Sequence, residues 1–115
     1  MIVTNNLVKR AIKNGGLTFK HNKTNVKTGF MVSQASTEQI VNITNSKELT
    51  NNINSYIKSN PLETKNQYYG LWFNDNKCYI DISHRINSKH KALEFAKQEK
   101  QLAIFDNKNK KSINL

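Results

Sequence analysis

The stretch YYGLWFNDNKCYIDIS, residues 68–83, is the densest run of aromatic and β-branched residues in the chain, and it encloses a polar turn. A two-residue turn between antiparallel strands requires a left-handed backbone, which Asn and Asp tolerate better than most residues. If Asp75 and Asn76 form that turn, each residue before it lies opposite the residue equally far after it. A four-residue loop over residues 74–77 would preserve the same pairing. The stretch therefore predicts a β-hairpin.

The predicted register gives the hairpin two different faces, because successive strand residues point to opposite sides. One face is almost wholly apolar and consists of Tyr69, Leu71, Phe73, Cys78, Ile80 and Ile82. The other face is aromatic and polar, and its facing pairs are Trp72–Tyr79, Gly70–Asp81 and Tyr68–Ser83. If a helix covers this second face, its aromatic residues belong to the core. A two-layer fold would expose them.

Apolar spacing and capping residues predict the elements on both sides of the hairpin. A short helix over about residues 5–13 ends at Gly15 and Gly16, and a second over about residues 46–59 ends before Pro61. A third helix follows the capping residues Asn87 or Ser88. Further strands are predicted over 17–20, 29–34, about 39–43 and 102–106, with a last edge strand near Ile113 and Leu115.

We expect the first three strands to form an antiparallel meander. Strand, helix and strand follow one another near the C-terminal end, which predicts a right-handed crossover that lays residues 102–106 parallel to a neighbour of the strand over 79–83. The predicted fold class is α+β. It is a single compact domain over residues 1–115 with a mainly antiparallel sheet, in the order helix, three strands, helix, β-hairpin, helix and one or two strands.

The chain is strongly basic, with 18 Lys and Arg against 8 Asp and Glu and a net charge of +10. Most of these cations are Lys, and Asn and Ile are also abundant, a combination typical of an AT-rich genome that accounts for part of the excess. Such a bias does not remove acids, however, and no Asp or Glu precedes Glu38. The N-terminal third is therefore a concentrated positive field that favours an anionic partner.

Several classes of protein do not fit the pattern. No apolar run reaches the roughly 18 residues that span a bilayer, and the N-terminus has no apolar stretch of signal-peptide length. The lone Cys78 cannot form an internal disulfide, and its place in an alternating strand indicates a small core residue. We therefore expect a cytoplasmic protein without a membrane partner.

The enzyme classes are equally poorly supported. Asp81, Ser83 and His84 are close in sequence, but strand alternation places His84 on the opposite face from the other two. No glycine-rich nucleophile elbow, phosphate loop, dinucleotide fingerprint or metal-ligand spacing occurs. We expect no catalytic residues, no metal and no cofactor.

Nucleic-acid binding requires basic residues interleaved with exposed aromatic residues. The basic first helix is one candidate surface, and the aromatic face of the hairpin, with Arg85 just beyond it, is the other. The predicted binding residues are Lys9, Arg10, Lys13, Lys20, Lys23, Trp72, Tyr79 and Arg85.

Short motifs are spread along nearly the whole chain: GGLT at 15–18, TGFMV at 28–32, GLW at 70–72, YIDIS at 79–83, AL at 92–93 and QLAIFD at 101–106. Together they resemble a group of small hypothetical proteins found on phages and plasmids of Gram-positive bacteria. The motifs are structural in character and carry no named catalytic role. The resemblance implies an accessory protein, such as a replication or transfer factor or an inhibitor of host defences of the anti-CRISPR kind.

The residues and the resemblance together predict a non-enzymatic, basic binding protein of a phage or mobile element. Its predicted partner is nucleic acid, or a host complex that handles nucleic acid. The alternative is an inhibitor that docks on a protein of a host defence system, with the same aromatic residues as anchors. A small hydrolase that uses Asp81, Ser83 or His84 is the third hypothesis.

Overall fold

A computed structural model describes residues 3–21 and 26–115, and it has the α+β architecture that the sequence predicts. In chain order its elements are α1 (Asn5–Asn14), β1 (Gly16–Phe19), β2 (Phe30–Ser33), a 3₁₀ turn (Ala35–Thr37), β3 (Gln39–Asn42), α2 (Ser46–Ser59), β4 (Gln67–Asn74), β5 (Lys77–Ile86), α3 (Lys89–Gln98), β6 (Ala103–Asp106) and β7 (Lys111–Asn114).

The hairpin of β4 and β5 confirms the predicted turn and register. Asp75 and Asn76 both have a positive φ, of 51° and 59°, as a two-residue turn that matches the strand twist requires. Asn74 pairs with Lys77, and the ladder then continues without a break to Gln67 and His84. These are the longest strands of the sheet, so they supply the ladder on which the other strands assemble.

The first three strands do not form the predicted meander. The order across the sheet is β1-β4-β5-β2-β6-β7, with β3 also paired to β5, and every pairing is antiparallel. β1 adds to the outer edge of β4, where Phe19 is fully buried with its ring 5.6 Å from that of Tyr69. Burial of this aromatic side chain and the long connection from β1 to β2 favour pairing of β1 with the distant β4 over pairing with β2, the next strand along the chain.

The predicted parallel pairing of residues 102–106 is also wrong. β6 pairs antiparallel with β2, which places Phe30 opposite Asp106 and Met31 opposite Phe105. β2 in turn pairs with the last four residues of β5. β2 therefore lies between β5 and β6, and the two strands that flank α3 run in the same direction without touching. The predicted last edge strand is confirmed as β7, which pairs with β6.

The 3₁₀ turn between β2 and β3 allows both strands to share one edge of β5. At this turn the hydrogen-bond ladder along β5 is interrupted, and the Thr37 side chain supplies the missing partner. The Ile82 N–H donates to Thr37 Oγ1 at 2.9 Å, and that hydroxyl donates to the Gln34 carbonyl at 2.7 Å. The Gln34 N–H donates to the Ile82 carbonyl at 3.0 Å. The buried backbone groups therefore keep their partners across the interruption.

The three predicted helices are confirmed, and local chemistry fixes their ends. The side chains of Thr4, Asn45 and Ser88 accept hydrogen bonds from the first turns of α1, α2 and α3, and Gly15, at a φ of 82°, ends α1. Within the part of the chain that the structure describes, no helix is both long and apolar enough to cross a membrane.

All three helices pack against the same face of the sheet. α1 and α2 cover the apolar hairpin face, where Leu71, Cys78 and Ile80 are buried. α3 covers a second cluster that includes Val32 and Ile104. Because Val32 pairs directly with His84, these side chains lie on the same side as Cys78 and Ile80. The fold has two layers, and no helix of residues 3–21 and 26–115 lies on the other side of the sheet.

We call this side the open face. It is formed by alternate residues of β5 and by the residues that pair with them on the neighbouring strands. The five β5 positions are Lys77, Tyr79, Asp81, Ser83 and Arg85. Lys77 is exposed and Ser83 is buried, so this face is accessible mainly toward the hairpin turn.

Candidate functional site

A row of large side chains crosses the open face on three neighbouring strands. Ile40 of β3 pairs with Tyr79 of β5, and Tyr79 pairs with Trp72 of β4. Trp72 is 58% exposed and Ile40 is 50% exposed, whereas Tyr79 between them is half-buried. The Trp72 and Tyr79 rings lie 5.4 Å apart at an angle of 43°. We call these three residues the Trp72 row.

Glycine on the fourth strand leaves one side of Trp72 open. Gly16 of β1 pairs with Trp72, and a Cβ atom at this position would lie 2.7 Å from the Leu71 carbonyl oxygen. The close backbone approach therefore excludes a side chain here. The indole of Trp72 is consequently flanked by Tyr79 on one side and by bare backbone on the other.

One lysine borders the Trp72 row. Lys77 is exposed and lies on the open face two residues before Tyr79 in β5. Across residues 3–21 and 26–115, no Lys or Arg forms an ion pair with a carboxylate. These cations are therefore available to an anionic ligand.

Asp81 occupies the next row of the open face. Its partner is Gly70, and a Cβ atom there would lie 2.5 Å from Asp81 Oδ1, so the carboxylate fills the space that the glycine leaves. Ser83 Oγ donates to Oδ1 at 3.0 Å. Burial raises the pKa of Asp81, the charge of Glu38 adds to this, and the hydroxyls of Ser33 and Ser83 oppose it.

The raised pKa of Asp81 predicts a pH-dependent difference between the wild type and Asp81→Asn. A carboxyl whose folded pKa exceeds its unfolded value of about 3.9 binds more protons in the folded state, so its contribution to stability is full below that value and is lost as pH rises through the folded pKa. The wild type should therefore lose stability relative to Asp81→Asn on going from acidic to neutral pH. Urea unfolding of both proteins at several pH values measures this difference. A relative gain by the wild type would contradict it.

His84 is separated from Asp81 and Ser83. Its Nε2 lies 2.8 Å from Gln34 Oε1, and its ring packs edge-on against Phe95 of α3 at 5.1 Å, on the helix side of the sheet. Burial lowers the pKa of His84. The three residues of the hydrolase hypothesis therefore do not converge on one point.

The structure does not bring the other predicted binding residues to the Trp72 row. Lys9, Arg10 and Lys13 are exposed on α1, which packs on the opposite side of the sheet from the open face. Lys20 and Arg85 contact their own chain, as described next. Lys23 lies outside the described residues.

The side chains of Lys20 and Arg85 are held by hydrogen bonds. The Lys20 ammonium lies 4.7 Å from the centre of the Tyr68 ring and donates to the Lys65 carbonyl, and Tyr68 is buried. Arg85 donates to the Thr28 carbonyl at 2.9 Å and to Thr28 Oγ1 at 2.6 Å. Trp72 and Tyr79 are therefore the predicted residues that the structure brings together with an accessible surface.

Cys78 has the structural role that the sequence predicts. It is fully buried under the helices, and burial raises the pKa of its thiol to about 12. A neutral, inaccessible thiol is not a nucleophile at neutral pH.

The sequence did not identify Ile40, Lys77 and Gly16 as members of the site. Lys77 follows from the hairpin register alone, because it shares a face with Tyr79. Ile40 and Gly16 depend on pairings between distant segments, for which the local sequence carries no signal. Comparisons with family models, with curated proteins and with solved structures found no match to this chain.

Proposed function

We propose that the open face binds single-stranded nucleic acid, with bases stacked on Trp72 and Tyr79 and with phosphates near Lys77. The observation that carries this proposal is the 58% exposure of Trp72 beside the ring of Tyr79 in a chain of net charge +10. Burying such a residue would stabilise a monomer, so its exposure on the side of the sheet away from the three helices favours a role in binding.

Single strands fit this surface better than duplexes. Stacking needs access to the flat face of a base, which a duplex hides within its own stack. The four strands that carry Gly16, Trp72, Tyr79 and Ile40 extend about 14 Å across, at about 4.8 Å per strand. A surface of this width is suited to a few splayed bases. Lys77 at its border would exchange its counterion for a phosphate.

Trp72 provides the test, because it is the only tryptophan of the chain. Its emission should change and saturate as a short oligonucleotide is added at low salt. The affinity should then fall as salt rises, with a slope of about −0.7 per phosphate contacted in a single strand. A duplex of the same length is the control and should bind more weakly. Unchanged emission with every oligonucleotide at low salt would refute the proposal.

A second candidate function is docking on a protein, and the exposed aliphatic Ile40 favours it. Aromatic residues with an apolar neighbour are typical anchors of protein interfaces. Under either function, the resemblance supports an accessory role in the bacterial cytosol, encoded on a phage or plasmid. A pull-down from nuclease-treated host lysate tests docking. A stoichiometric protein that Trp72→Ala fails to capture would support it, and the loss of every partner on nuclease treatment would contradict it.

A further inference from the structure

Asp81 places a negative charge next to the surface that we propose for an anionic ligand. It lies two residues from Tyr79 on the same face of β5, about 7 Å away at the rise of a strand. This distance is comparable with the reach of a base and its exocyclic groups. Because Gly70 has no side chain, the carboxylate lies over the backbone of β4, beside the Trp72 row and not under it.

The surroundings of Asp81 leave it with acceptor capacity. The hydroxyls of Ser83 and Ser33 are the hydrogen-bond donors to this carboxylate, and each of its oxygens can accept more than one hydrogen bond. In the ranges 3–21 and 26–115, no basic side chain forms an ion pair with this carboxylate. A half-buried carboxylate without a cation is costly unless donors surround it. It repels phosphate and attracts N–H groups, so it is suited to contact the edge of a base.

We propose that Asp81 selects bases that carry an exocyclic amino group, and in particular cytosine over thymine, an inference that rests on the proposed function. When a pyrimidine stacks on Trp72 and Tyr79, cytosine can donate from its N4 amino group to the carboxylate. Thymine presents the O4 carbonyl at the same position, which the carboxylate repels. The two bases offer similar stacking areas, so their difference reports the contact at the base edge.

The experiment compares oligo-dC with oligo-dT of equal length, by the emission of Trp72 at neutral pH and low salt. The wild type should prefer oligo-dC by roughly tenfold, the discrimination expected of a good contact to a base edge. In Asp81→Asn the preference should fall to near one, because a carboxamide can accept from cytosine and also donate to thymine. The thermal melting of both proteins verifies that the variant is folded.

Glu38→Gln is the matched control. Glu38 is exposed, its charge acts on Asp81, and the substitution removes the same unit of negative charge. It should strengthen binding of both oligonucleotides equally and leave their ratio as in the wild type. The same loss of preference in both variants would show that only charge matters and would overturn the selection by Asp81.

The remaining outcomes separate the inference from the proposed function. Measurable binding with a ratio near one in the wild type would overturn the inference and leave the proposed function standing. A preference for oligo-dC that survives in Asp81→Asn would do the same. No emission change with either oligonucleotide would overturn the proposed function, and the inference with it.

Discussion

Replacing Trp72 by alanine should weaken oligonucleotide binding by about 1–3 kcal/mol, or roughly 5- to 150-fold, because base stacking on an exposed aromatic ring contributes about that amount per base. The indole is 58% exposed but packs on Tyr79 across the strands, so the free energy of unfolding should fall by about 0.2–1 kcal/mol, the usual contribution of such a pair. The variant lacks tryptophan, so the anisotropy of a labelled oligonucleotide is the appropriate measurement.

Phe105→Ala is the matched control for Trp72→Ala. Phe105 is 38% exposed and pairs with Met31 in the part of the sheet formed by β2 and β6, away from the Trp72 row. Binding by this variant should equal that of the wild type. Equal losses in the two variants, or no loss in Trp72→Ala, would place the binding surface elsewhere.

Replacing Phe19 by alanine should destabilise the fold by about 3–5 kcal/mol, which is the usual cost of removing a buried phenylalanine from a core. Phe19 is fully buried, and its ring lies 5.6 Å from that of Tyr69. Urea unfolding measures the change, and Phe105→Ala again serves as the control with a much smaller expected loss. If the two variants were equally stable, the placement of β1 against β4 would be wrong.

The hairpin was predictable because its information is local. Asp75 and Asn76 fix the turn, and from that point strand alternation determines the pairing of every residue to Gln67 and His84. The helix ends were predictable for the same reason, since Asn45 and Ser88 cap the turns that immediately follow them. Each of these features is determined by a few neighbouring residues.

The sheet order was not predictable from such windows. The local sequence is compatible with pairing of β1 to β2 or to β4, and the choice depends on burying Phe19 against Tyr69, fifty residues away along the chain. The interruption at Thr37 is a second example, because its hydroxyl has a structural role only once Ile82 lies opposite it. Tertiary packing therefore decides which of several compatible pairings forms.

The candidate site also combines features that depend on local sequence with features that depend on the sheet order. Alternation along the hairpin placed Trp72 and Tyr79 on one face, which the structure confirms. Whether that face is open depends on which side of the sheet the helices pack, and this follows from the sheet order. The addition of Ile40 to the row requires the register of β3 on β5. Trp72 and Tyr79 could therefore be recognised from the sequence, but their exposure could not.

The most direct test of the central claim is a map of backbone amide and indole N–H chemical shifts during titration with a single-stranded oligonucleotide. We predict that the largest shifts cluster on the open face at Ile40, Trp72 and Tyr79, with the indole N–H of Trp72 among them. Shifts confined to the exposed face of α1 around Lys9 and Arg10 would contradict the claim, because α1 lies on the other side of the sheet.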